Sequence, residues 1–74
     1  MRLFNIQVGK KVRVIKLYGG RGLEQKMWEI GIVPGIEAQV VRHGPMGGPI
    51  LLYIDGREIA LGRRIASKIE VEEI

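Results

Sequence analysis

Cysteine is absent from this chain of 74 residues, which excludes disulfides and thiolate metal ligands and fits a reducing cytoplasm. There is no threonine, and Ser67, His43 and Asp55 are each the single residue of their kind. One Ser with no base near it in sequence makes no nucleophilic pair. A lone His with no Cys falls short of the converging ligands that zinc or iron sites require, and no H-x-x-E or E-x-x-H pair occurs. Catalytic, cofactor-binding and metal-ligating residues are therefore all read as none. Aromatics are few: Phe4, Tyr18, Trp28 and Tyr53. No apolar run reaches the length of a membrane span, and Met1 to Asn5 lacks the long apolar core of a signal peptide.

What is present is 46% apolar and 27% charged, ordinary for one globular domain spanning residues 1–74. The net charge of +4 is uneven. Residues 1–26 hold seven cations against one carboxylate, Glu24, a net of +6, whereas Glu70, Glu72 and Glu73 make the far end acidic. Such a half reads first as solvated surface and second as a basic face toward RNA, anionic lipid or an acidic partner.

The stretch Gly19 to Gly35 organises the rest. Leu23, Met27 and Ile30 recur at i, i+4 and i+7 and predict a short helix over Leu23–Ile30, preceded by a connection from Leu17 to Arg21. Glu24 would then sit in the first turn, where the helix dipole favours a negative charge. Gly31 follows the last periodic residue and is expected at C′ with φ > 0, bringing Ile32 onto Met27. Pro34-Gly35 reads as the centre of a type II turn leading into a strand. A helix this short is not stable alone and must lie on strands.

Five strand-like stretches supply them. Val12–Lys16 and Ile36–Val40 alternate, with Val12, Val14, Ile36, Ala38 and Val40 facing inward, and Val41–His43 extends the second. Ile50–Ile54 is almost continuously apolar, so either both of its faces are covered or one is sticky. Asp55-Gly56 predicts a two-residue hairpin into Arg57–Leu61, and Lys68–Glu72 closes the chain after a tight turn at Gly62–Ala66. Segments 5–9 and 43–49 read as loops. Five short strands leave bare edges unless the sheet curls shut. The expected fold is mainly β, a small SH3-like barrel of about five strands with one short helix inserted after the first.

Gly19-Gly20-Arg21-Gly22 before a helix invites a phosphate-loop reading, but neither G-x-x-x-x-G-K-[ST] nor G-x-G-x-x-G is matched. Nucleic-acid stacking needs more aromatics among the cations than this chain has. Trp28 stands beside the apolar stripe, which makes it either core edge or an anchor for a partner. The partner-binding candidates are Tyr18, Arg21, Leu23 and Trp28, with Met46, Leu51 and Tyr53 as the rival surface. The structural turn is assigned to Gly31, Pro34 and Gly35.

These residues add up to a resemblance. Gly22-Leu23 with Met27-Trp28-Glu29-Ile30-Gly31-Ile32-Val33-Pro34-Gly35 resembles the L-x-x-M-G-L-x-P-G signature of the ferrous iron transport protein A (FeoA) family. Pro45 to Ile50 resembles that family's P-x-G-x-P-[IL] loop, and Ile59–Arg63 with Ala66–Val71 resembles its I-A-L-R … A-x-x-I-x-V close. Met27, Ile30 and Ile32 replace other apolar residues of similar volume, which keeps the fold. Gly62 stands where Arg is common. The resemblance implies a cytoplasmic, non-enzymatic accessory protein of ferrous iron uptake, binding the cytoplasmic part of a membrane iron permease that carries a GTPase domain. It implies no cofactor, no DNA, membrane contact only through the partner, and room for a weak homodimer. The alternatives are a small RNA-binding barrel and a metal-binding, iron-sensing module like the C-terminal domain of iron-dependent repressors.

Overall fold

The computed structural model describes all of residues 1–74. Five antiparallel strands, β1 (Lys11–Leu17), β2 (Glu37–His43), β3 (Ile50–Ile54), β4 (Arg57–Leu61) and β5 (Ile69–Glu73), form one sheet in the order β4-β3-β2-β1-β5. Helix α1 (Gly20–Glu29) is inserted between β1 and β2, and a one-turn helix α2 (Arg63–Ala66) joins β4 to β5. The architecture is mainly β and SH3-like.

Two bulges curl the sheet, and the side-chain pattern requires them. In β1, Val12 and Val14 point inward, so strict alternation would bury Lys16. The register instead slips between Val14 and Lys16, leaving Ile15 as the extra residue, so that Leu17 returns to the core and Lys16 faces water. In β2 the slip lies between Val40 and Arg42 and keeps Arg42 exposed. A bulge bends its strand and increases the local twist.

The curl does not close by strand pairing. The SH3-like form is as expected from the sequence, although β4 and β5, the two edge strands, have no register with each other. The turn α2 intervenes between them, and the first residues of the chain cover the outer edge of β5. Val71 N–H donates to the Met1 carbonyl at 2.7 Å, and Arg2 bridges to Glu70. Leu3 and Ile6, each 1% exposed, then enter a single cluster of sixteen buried residues. Segment 5–9, read as a loop, thus begins as part of a 3₁₀ turn (Leu3–Asn5) that supplies core. His43 fixes it from the other side, its Nε2–H donating to the Ile6 carbonyl at 2.7 Å.

The helix also differs from its sequence reading. It begins at Gly20, not Leu23, so Glu24 lies beyond the first turn and Arg21 is helical rather than part of a connection. Packing of Met27, fully buried, with Leu23 and Ile30 against the core outweighs the weak helix preference of Gly20 and Gly22. Its end is a Schellman motif. Gly31 has φ +90°, Ile32 N–H donates to the Met27 carbonyl at 2.8 Å, and Gly31 N–H donates to the Trp28 carbonyl at 3.1 Å. The next turn is closed by Ile36 N–H on the Val33 carbonyl at 3.2 Å, with Gly35 at φ +97° after Pro34. Gly35 N–H also donates to the Val14 carbonyl, which ties this turn to β1. The β3–β4 hairpin turns through Asp55 and Gly56 at φ +49° and +83°, the signs of a type I′ turn.

Candidate docking site

Burying Leu23, Met27 and Ile30 turns the opposite stripe of α1 outward. Arg21, Glu24, Gln25 and Trp28, at i, i+3, i+4 and i+7, line a shallow depression of about 430 Å³. Trp28 is 68% exposed, which decides the question its position raised: its ring is surface, not core edge. Arg21 takes part in none of the four ion pairs. Leu23 is half-buried and packs against the core beneath this face.

Tyr18 lies apart. It does not line the depression; its ring has the Arg2 guanidinium 4.0 Å and the Lys16 ammonium 5.0 Å from its centroid. The four candidates therefore divide into the outward pair Arg21 and Trp28, a supporting Leu23, and a Tyr18 already engaged by two cations. The rival surface is built on the outer face of β3. Ile50, Leu52 and Ile54 are buried, while Tyr53 is 46% exposed and Leu51 half-buried. Tyr53 borders a depression of about 300 Å³ with Lys11, Gln39 and Asp55. Met46 is fully exposed at the tip of the 43–49 loop, at φ +56°.

The residues that carry chemistry elsewhere are occupied structurally here. Ser67 Oγ donates to the Arg64 carbonyl at 2.6 Å, Asp55 sits in the hairpin turn, and His43 holds the N-terminal segment. Glu70 accepts from the Met1 amine at 2.6 Å and forms an ion pair with Arg2 Nε at 3.2 Å. That amine hydrogen bond, with Arg2 behind it, holds the Glu70 carboxyl below its ordinary value. Glu72 pairs instead with Arg13, and no three His, Asp or Glu side chains converge as metal ligands.

Sequence reasoning missed two contacts of the site's surroundings. Arg57 of β4 reaches back to the C-terminus of α1, and Arg63 of α2 lies over the Phe4 ring at 4.5 Å. Both join segments far apart in the chain, for which no local pattern exists.

The fold is an SH3-like sheet with an outward tryptophan on its ten-residue helix. The pattern of the FeoA domain family matches residues 1–73, and the chain belongs to that family. It is 37% identical over 65 residues to a Methanocaldococcus jannaschii protein named "Putative Fe(2+) transport protein A", covering 88% of this chain and 77% of that one. The crystal structure of an iron uptake regulatory protein (FeoA) superposes with a TM-score of 0.90 at 28% identity, over all of this chain and 96% of that one. Iron(II) transport protein A from Clostridium thermocellum superposes at 0.93 and 36% identity, this chain spanning 46% of its length. A manganese-dependent transcriptional repressor shares the fold, at 0.89 and 21% identity.

Proposed function

We propose that this FeoA-domain protein is a non-enzymatic accessory protein of ferrous iron uptake, working in the cytoplasm by contact with the cytoplasmic part of the membrane iron permease. Membership of the family and the names of its relatives support the iron-uptake role. The observation that carries the contact is Trp28, two-thirds exposed on an outward helix face beside an unpaired Arg21. A large rigid ring held out by a packed helix is the type of residue that dominates interface energetics, and Arg21 supplies a fork for a partner carboxylate. No helix is long and apolar enough to cross a membrane, so on this reading the membrane is reached through the partner.

The experiment is co-purification with the permease's cytoplasmic domain, followed by calorimetry with Trp28→Ala. Binding weakened by about 2 kcal/mol or more with the fold intact by circular dichroism is the expected result. Normal binding by Trp28→Ala and lost binding by Tyr53→Ala would move the interface to the outer face of β3. No retention of the permease domain by the parent protein would overturn the proposal itself.

A further inference from the structure

A second surface, away from Trp28, gathers cations from three separate segments. Arg63 lies over the Phe4 ring, and Phe4, Arg63, Arg64 and Ser67 line a depression of about 510 Å³. The Ser67 carbonyl accepts from Arg2 Nη1 at 3.3 Å. Arg2 in turn lies over Tyr18, with Lys16 over the same ring. Tyr18 N–H donates to the Lys68 carbonyl at 2.8 Å, which sets the main chain of exposed Lys68 against that of Tyr18. Five cations thus follow one another along α2, the N-terminal turn and the end of β1. Glu70 is the carboxylate among them, and it is already bonded to the Met1 amine and Arg2. Lys16, Arg63, Arg64 and Lys68 are exposed and belong to none of the ion pairs.

We propose that this strip docks an acidic, carboxylate-bearing segment of a protein partner. Three observations favour that occupant. The strip is positive and largely unneutralised, so its complement is an anion. Two of its four unpaired cations are arginines, and Arg63 is held over the Phe4 ring. A guanidinium fixed in this way offers its fork to a carboxylate with less entropy to lose. The α2 end of the strip also holds a shallow depression beside Phe4 and Arg63, where a protruding carboxylate side chain can sit. Single-stranded RNA would need open aromatic faces to stack on, and here cations already lie over both rings. The inference does not depend on the iron permease or on the Trp28 face.

The test is a titration of the ¹⁵N-labelled protein with a short synthetic peptide rich in Glu and Asp. Saturable shifts at Arg2, Tyr18 and Arg63 to Lys68 are expected, with affinity falling about tenfold between roughly 50 and 200 mM salt. Arg64→Glu/Lys68→Glu should abolish the shifts. Lys10→Glu/Lys26→Glu changes the net charge equally but touches none of the strip's residues, and should keep affinity within about twofold at roughly 200 mM salt, where screening weakens the action of distant charges. If the first double variant fails to fold, Arg64→Gln replaces it, with an expected loss of about threefold to tenfold. Equal losses in the two double variants would reduce the strip to diffuse net charge and overturn the proposal. So would the absence of peptide binding at low salt, or tighter binding of oligouridine or phosphatidylserine vesicles through the same amides.

Discussion

The Arg57 guanidinium donates to the Ile30 carbonyl oxygen at 2.6 Å, joining strand β4 to the C-terminal end of α1. Ile30 is the C-cap, where the helix leaves unpaired carbonyls and the negative end of its dipole. A cation from a different element therefore finishes what the Schellman turn begins. The contact also holds α1 on the sheet, and with it the face that carries Trp28. Because it is exposed, Arg57→Ala should cost about 0.5–1 kcal/mol in urea unfolding. A variant as stable as the parent would show that the contact contributes nothing.

Gly31 is constrained twice. Its φ of +90° strains any residue with a Cβ, and a Cβ there would overlap the Arg57 guanidinium. Gly31→Val should destabilise by about 1–3 kcal/mol. An unchanged melting curve would contradict the C′ assignment. In the Arg57→Ala background the steric part is relieved, so Gly31→Val should then cost less, a coupling that a double-mutant cycle measures.

Trp28→Ala separates docking from folding. With the ring 68% exposed, its removal should change stability by about 0.5 kcal/mol or less, as for other surface substitutions. Met27→Ala, one residue earlier and fully buried, should cost about 2–5 kcal/mol. Comparable losses from the two would contradict the exposed placement of Trp28.

The Glu70 carboxyl, lowered first by its hydrogen bond to the Met1 amine and then by Arg2, gives an acid-side pH dependence. Its folded value lies below the unfolded value of about 4.3. Its contribution is therefore fully present above that pH and is lost as pH falls through the folded value. Melting temperatures between about pH 6 and 2 should fall less steeply for Glu70→Gln than for the parent. Parallel curves would mean that the bridge does not form in solution.

The monomer is expected to bind Fe(II) or Zn(II) only weakly, since no three ligating side chains converge. Calorimetry giving an affinity tighter than about micromolar for a proven monomer would refute this. A site formed between two copies would not.

The features legible in the sequence are those set by short stretches of chain. The Asp55-Gly56 hairpin, the inward faces of β1 and β2 and the helix stripe of Leu23, Met27 and Ile30 each follow from neighbours within a few residues. The helix start was not legible, because Gly20 and Gly22 argue against a helix that tertiary packing imposes. Leu3 and Ile6 show no period, so nothing local marks them as core; only the open side of the curled sheet does. The outward placement of Trp28 lay between two readings until the burial of Met27 fixed the rotation of α1. The engagement of Tyr18 by Arg2 and Lys16 required the N-terminal segment to return beside β5.

That return has a consequence for how the molecule is made. Met1 and Val71 are hydrogen-bonded across a separation of 70 positions, and β1 waits for β5 on the same side. Residues 1–6 cannot make these contacts until β5 is in place beside them. Leu3 and Ile6 therefore gain their burial only together with that long-range pairing. Such distant pairing is slow to form for a chain this short, because the closure entropy comes before the contacts that offset it. Substitutions in the opening hexapeptide should therefore act mainly on how fast the finished fold comes apart, and those in the β3–β4 hairpin on how fast it forms.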